Sequence, residues 1–537
     1  MLSCFKDRYQ LGNYIRYKNS NISFSGYENL YKGKYKDIGR KKYCVIERYG
    51  GWGCGNHGGG ARAANIGGYQ YKGIGLTPVS GETENVNYAH GTLALVEAVY
   101  EAIYSEVLGK VMPVGVAKCH GVLYTGKDTS FSYACDYQKG LDRTHGGILV
   151  REICERPGHY LRAWHFKVKE EFEELICDDV IRIRSVIAEF TNKFKNHNEF
   201  IAYMGKFLGA CANQFGFARV AGLVHGGVTP SNLCVDGRWL DLSTTSFLDR
   251  GRNYLITHYP FYKEQEISLE ILTEWVYTYC KYNGVDFDIT TLVNYYQEQL
   301  QAYTQYHCGF ALGLDRAAAA SLESKPEYDQ LSETLSQVLL PEGRVYQLEH
   351  LSFKEDDPLL CYLEANIAAI VDDLLSAQSK SPLLQVFKQL HRQDNSDYCL
   401  NAFIKRSFIK AFKRSYLASF FYRNQLMGSI DSIINANNIE AFSGFINSHI
   451  SAADWIFTDE FSAREVIYEN DKLVIGFDLE LNVYRIICNG RPDQEFASIK
   501  ELTDSDLIHD FDLFICNYNF MDYLQRLTAN LLPLDNI

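Results

Sequence analysis

Eleven glycines fall between Gly50 and Gly75, a local density that narrows what this part of the chain can form. Lacking a Cβ, glycine adopts backbone conformations closed to other residues and weakens helix and strand interiors. The segment therefore reads as a tight turn that lets a ligand approach the backbone. Strand-like patterns flank it, Lys42–Arg48 before and Tyr69–Lys72 after. The implied unit is strand, glycine turn, strand, with Gly58, Gly59 and Gly60 placed to offer N–H groups to a phosphate. From Leu93 the period becomes helical. Val96, Val99, Tyr100, Ile103 and Val107 recur at helical spacing while Glu97, Glu101 and Ser105 share another face, which predicts one amphipathic helix.

The chain has 537 residues, too many for a single hydrophobic core, and 46% hydrophobic against 22% charged residues is a globular composition. A formal charge of −13 argues against a whole-molecule grip on nucleic acid or anionic lipid, so any anion site must be local. Charges scattered through the first twenty residues do not resemble a signal peptide. No window reaches the roughly 18 apolar residues needed to cross a bilayer. Glu97, Glu101, Glu106 and Lys110 interrupt the most apolar stretch, Leu93 to Ala117. Fifteen cysteines without a CxxC pair suggest neither a disulfide frame nor a zinc site, and a cytoplasmic location is expected.

Further along, His120–Tyr124 and Ile148–Cys154 read as strands that can pair across a polar insertion containing Asp128 to Asp142. Glu171–Phe215, Glu264–Leu340 and Pro358–Ile456 are helical in spacing, and Ala221–Asp249 is a compact run of short strands and turns. Val466–Leu479 predicts a hairpin, followed by a turn at Asn489-Gly490. Four regions are expected: 1–145, 146–350, 351–460 and 461–537. In Phe403–Arg423 the basic residues Lys405, Arg406, Lys410, Lys413 and Arg414 surround Phe408, Phe412 and Tyr416. That pattern fits a helix with one buried and one solvated face, or a surface that docks a partner.

A glycine turn, a lysine on the following strand and a glutamate on the next helix form the ordered set with which protein kinases cover a nucleotide. Lys72 and Glu101 occupy those places, while the P-loop pattern GxxxxGK[ST] is absent. From about Gly58 to Asp249 the chain resembles the selenoprotein O family, kinase-like proteins that transfer AMP. The family's G-D-G-R is similar to Gly59-Gly60-Ala61-Arg62, and its K-G-A-G-L-T-P to Lys72 through Pro78. Its H-G-V-M-N-T-D-N followed by L-D-Y-G resembles His225 through Asn232 and Leu240 through Ser243. Two phosphate-binding arginines of the family fall on Arg151 and Arg162. The resemblance implies an α+β, protein-kinase-like bilobal fold with a helical C-terminal extension. It also implies ATP and Mg²⁺ as cofactors, with Gly59, Gly60, Arg62, Lys72, Arg151 and Arg162 at the nucleotide and Asn232 and Asp241 on the metal.

Where the family has a catalytic aspartate this chain has Ser231, and Gly227 fills the place of the kinase aspartate. An unperturbed serine is no general base near neutral pH. A carboxylate acceptor needs none, being already ionised. The expected activity is adenylation of a carboxylate such as a peptide C-terminus, activating it for ester or amide formation. That chemistry is similar to the attachment of a glucosylated siderophore during maturation of siderophore-bearing microcins, with an acyltransferase-like partner subunit and a peptide or protein substrate. The alternatives are an inactive pseudokinase scaffold and a protein AMPylase acting on hydroxyl side chains.

Overall fold

The computed structural model describes residues 14–18, 28–32, 43–82, 90–131, 142–248, 261–322, 325–339, 357–393, 398–511, 513–515 and 518–537. Part of the polar insertion, Leu340 and Asp249 lie outside the described residues.

Seven N-terminal strands form one antiparallel sheet in the order β1-β3-β4-β5-β7-β6-β2. They are β1 (Tyr14–Lys18), β2 (Glu28–Lys32), β3 (Tyr43–Glu47), β4 (Ala63–Ile66), β5 (Tyr69–Lys72), β6 (Cys119–Phe131) and β7 (Arg143–Arg151). The expected strands on either side of the glycines are β3 and β5. β4 lies inside the stretch read as turn, since Ala-Ala-Asn-Ile has little strand propensity. The β4–β5 hairpin closes through Gly67 and Gly68, both at positive φ (61° and 95°), as a two-residue turn with right-handed strand twist requires. β6 and β7 pair as expected, Val122 opposite Leu149 and Leu123 opposite Ile148.

Between β5 and β6 runs α1 (Leu95–Val111), packed against β6 and β7. The expected amphipathic pattern is corrected here: Glu97, Glu101 and Ser105 are buried, at most 5% exposed, because elements also cover the polar face. Ser105 Oγ donates to Ala117 O at 3.0 Å and accepts from Cys119 N at 2.7 Å, joining the helix to the start of β6.

The middle of the chain is largely helical: α2 (Asp179–Thr191), α3 (His197–Val220), α4 (Ile267–Asn283), α5 (Thr290–Ala311), α6 (Arg316–Ser321) and α7 (Pro326–Leu339). Asp178 and Asn196 cap α2 and α3 through their side chains. Between α3 and α4 the short strands β8 (Leu223–Val224) and β9 (Ser246–Phe247) pair and bracket an irregular loop. Five more helices precede the C-terminal strands: α8 (Pro358–Leu375), α9 (Pro382–Gln393), α10 (Leu400–Ala418), α11 (Arg423–Asn435) and α12 (Ala441–Ile456). The expected hairpin is β10 (Arg464–Glu469) with β11 (Leu473–Asp478), extended to four strands by β12 (Val483–Cys488) and β13 (Gln494–Phe496). Gly490 at φ 81° lies in the turn between β12 and β13. One contiguous apolar cluster runs from Leu30 to Leu534 and includes α1, α3, α5 and α10. No helix among the described residues is long and apolar enough to cross a membrane.

α10 overturns both expectations for the basic stretch, because its cations are neither solvated nor presented to a partner. Lys405 pairs with Asp535 at 2.9 Å, and Arg406 holds Asp315 with two bonds of 3.0 and 3.1 Å. Lys410 donates to the same aspartate, Lys413 pairs with Glu465 at 2.5 Å, and Arg414 pairs with Asp459 at 3.1 Å. All five are at most 3% exposed. Burial, then the neighbouring Arg414, pull the Lys410 ammonium down to about 8. A cation buried beside a carboxylate is tolerated only while both are present. Lys413→Met should therefore cost about 3–5 kcal/mol, and Lys413→Met with Glu465→Leu should recover most of it. Chemical denaturation reads both, and a single variant as stable as the parent would contradict this burial.

Candidate active site

Lys72 closes β5 and Arg151 closes β7. In the β5–β7 ladder Gln70 lies opposite Arg151 and Lys72 opposite Leu149, so strand alternation puts Gln70, Lys72 and Arg151 on one face of the sheet. α1 supplies the carboxylate they share. Lys72 Nζ donates to Glu101 Oε2 at 2.8 Å, and Arg151 Nη1 to Glu101 Oε1 at 2.7 Å. Asp241 closes the cluster: Arg151 Nη1 reaches its Oδ1 at 2.9 Å, and Lys72 Nζ contacts the same oxygen. Burial pushes the Asp241 carboxyl up, but Arg151, Lys72 and Arg156 together hold it well below the usual carboxylate range. Asp241 itself sits in left-handed backbone (φ 61°, ψ 62°), which aspartate tolerates better than most residues.

The loop between β8 and β9 carries the other candidates. Asn232 Nδ2 donates to Gly227 O at 2.7 Å, which turns its Oδ1 into the available acceptor end of the amide. Ser231 Oγ approaches that oxygen at 3.3 Å and Thr229 Oγ1 at 2.9 Å. His225 Nε2 lies 3.0 Å from Leu240 O, tying one end of the loop to the residue before Asp241. Burial lowers the His225 imidazole to about 4, so the ring is neutral at pH 7 and donates Nε2–H. The loop rests on Glu264, whose carboxylate accepts from His225 N at 2.9 Å and Gly226 N at 2.6 Å. Burial raises that carboxyl to about 7, against the opposing pull of the two N–H bonds.

A cleft of about 290 Å³ lies between these elements. Of the residues singled out in the sequence, Gly59, Gly60, Arg62, Lys72, Arg151, Ser231, Asn232 and Asp241 line it, and Glu101 stands behind Lys72. Arg162 is not brought there: its Nε faces Asp179 at 3.9 Å and its guanidinium stacks over Trp164 at 4.4 Å. The glycine turn also differs from expectation. Gly58 N donates to Val79 O and Gly60 N to Glu47 O, each at 2.8 Å, and Gly59 N lies 3.4 Å from His57 Nδ1. These N–H groups bind the protein rather than face a phosphate. Gly59 is required for another reason, since at φ 139° a Cβ would stand 2.1 Å from Glu47 O. Charge in the cleft comes instead from side chains, with Arg62 steadied by a 3.1 Å bond to Thr92 O.

Four supporting residues are not among the site candidates read from the sequence, although Glu97 is placed there on the helix face of Glu101. Gln70 accepts from Arg151 at 2.8 Å, and Arg156 donates to Ser231 O at 2.9 Å while lying 3.5 Å from Glu47. Glu264 holds the loop, and Glu97 lines the cleft. Gln70 lies two residues before Lys72 on a strand and Glu97 four before Glu101 on a helix, so period alone could have found them. Arg156 and Glu264 carry no local signal. A wider groove of about 870 Å³ lies elsewhere, but its inner carboxylates, Asp315 and Asp459, are committed to the cations of α10.

No group of three or more His, Cys, Asp and Glu is set for a metal ion among the described residues. Asp241 and Asn232 nonetheless offer a carboxylate and an amide oxygen, the hard donors that Mg²⁺ takes when a polyphosphate and water complete its shell. No family model matches the chain, and no curated protein matches it.

The Glu264 shift sets a pH dependence. Its folded value of about 7 lies above the usual 4.5, so its stabilising contribution is complete below 4.5 and lost as pH rises through 7. Glu264→Gln should flatten stability against pH across that window in thermal unfolding. An unchanged slope would show that the carboxyl titrates normally.

Proposed function

We infer that the cleft binds Mg²⁺·ATP in a protein-kinase-like frame and transfers AMP to a carboxylate, such as a peptide C-terminus. The observation that carries this is the closed cluster of Lys72, Glu101, Arg151 and Asp241 beside the oriented Asn232 amide. The topology supports it: a glycine turn, the lysine strand, the glutamate helix and two returning strands follow in the order of a kinase N-lobe, in the sheet order β3-β4-β5-β7-β6. Lys72, Arg151 and Arg62 would hold phosphate oxygens, and Asn232 and Asp241 would hold Mg²⁺, which supplies charge neutralisation when bound.

Phosphorus transfer relies chiefly on positioning and electrostatics, which these side chains supply. Neither residue 227 nor residue 231 provides a carboxylate base, so the catalytic loop suits an acceptor that arrives ionised. The acceptor oxygen bonds to the α-phosphorus as the bond to the β-phosphate oxygen breaks, and pyrophosphate leaves with no proton to remove. A scaffold role loses its main support, because the basic residues of α10 are internal.

Incubation with ATP, Mg²⁺ and candidate peptides should release pyrophosphate and yield an acyl-adenylate that hydroxylamine traps. Lys72→Ala should slow this by about 10²–10³, the usual effect of removing one preorganised charge-stabilising donor. ADP as the product, or no turnover with any carboxylate, would contradict the proposal.

A further inference from the structure

Glu97 is 5% exposed and lines the cleft one helical turn before Glu101, yet it has no hydrogen bond or ion pair among the described residues. The cations of the cleft have other roles: Lys72 and Arg151 are shared between Glu101 and Asp241, and Arg62, steadied by the Thr92 carbonyl, is the side chain assigned above to phosphate. Residues four apart share a helix face, so Glu97 and Glu101 belong to the same side of α1, but only Glu101 meets cations. A carboxylate this buried is costly unless a positive group or several donors meet it. In the free protein the cleft is what remains open to it.

We propose that Glu97 receives a cationic group carried by the acceptor, so that the carboxylate to be activated belongs to a molecule with an ammonium a few bonds away, an α-amino acid being the simplest. This rests on the adenylation reading above. A nucleotide and an acceptor carboxylate are both anions, and each would be repelled by an unpaired Glu97. Asp241 and Asn232, which would hold the metal, belong to the segment after β8 rather than to α1. An ammonium on the acceptor cancels the Glu97 charge, and holding that group at α1 fixes which carboxylate oxygen faces the α-phosphorus. The ammonium keeps its protons throughout. Glu97 therefore serves as a specificity residue rather than a base.

The test uses the whole chain with Mg²⁺·ATP and two pools, the standard amino acids and the same compounds acetylated at every amine. ATP–pyrophosphate exchange should be faster with the free pool by about tenfold to a hundredfold, the worth of one desolvated charge-assisted contact. Calorimetry should show a member of the free pool binding the nucleotide-loaded protein and its acetylated form not. Glu97→Gln should abolish both preferences while ATP binds no more weakly than to the parent, since the change removes a negative charge from the cleft. Equal exchange with both pools would overturn the role of Glu97 and leave the adenylation reading standing. Exchange with neither pool nor any peptide would overturn both. Loss of ATP affinity in Glu97→Gln would place the residue at the nucleotide or in folding and would equally overturn the proposal, as would pyrophosphate release confined to hydroxyl acceptors.

Discussion

Four charged side chains, Lys72, Glu101, Arg151 and Asp241, neutralise one another at the wall of the cleft, the first three buried and Asp241 partly open to it. They come from two strands, a helix and a loop, and leaving any one unpaired there costs several kcal/mol. The cluster thus demands that β5, α1, β7 and the segment after β8 keep one register. Sheet geometry meets the demand, because pairing Gln70 with Arg151 brings Lys72 and Arg151 to the same face within reach of one helix turn. Asp241 completes the set only by adopting left-handed backbone, a conformation the surrounding contacts must impose.

A second set of buried charges on α10 uses similar chemistry to a different end. Lys405, Arg406, Lys410, Lys413 and Arg414 reach Asp535, Asp315, Glu465 and Asp459, so one helix joins a point after α5, the first C-terminal strand and the end of the chain. None of these pairs lines the cleft. All five cations are buried and paired within the chain, which makes the helix a fastening rather than a surface. The same region touches the site at its end: Arg423 Nε donates to Ser243 O at 2.8 Å, two residues beyond Asp241.

The legible parts of this chain were those governed by local period and turn chemistry. The strands around the glycines, the β6–β7 pairing, α1 and the C-terminal hairpin follow from alternation, helical spacing and turn residues. β4 was hidden because alanine carries no strand signal, although the Gly67-Gly68 turn marked its hairpin. α10 misleads because a basic helix reads as solvated until distant acids are known, and Asp315 and Asp535 lie roughly 90 and 130 residues from their partners. Glu264 and Arg156 act through long-range bonds to the loop, which no local pattern records. Composition points the glycine N–H groups at a phosphate, but they are taken by Val79 O, His57 Nδ1 and, on β3, Glu47 O.

If Asp241 is held by two cations until a metal-bound nucleotide takes their place, then binding must depend on that one carboxylate. Calorimetric titration of Mg²⁺·ATP into the folded parent and into Asp241→Ala examines this directly. The structure leads us to expect saturable binding by the parent and none by the variant at equal magnesium. A parent that ignores the nucleotide, or a variant that binds it equally well, would contradict the account.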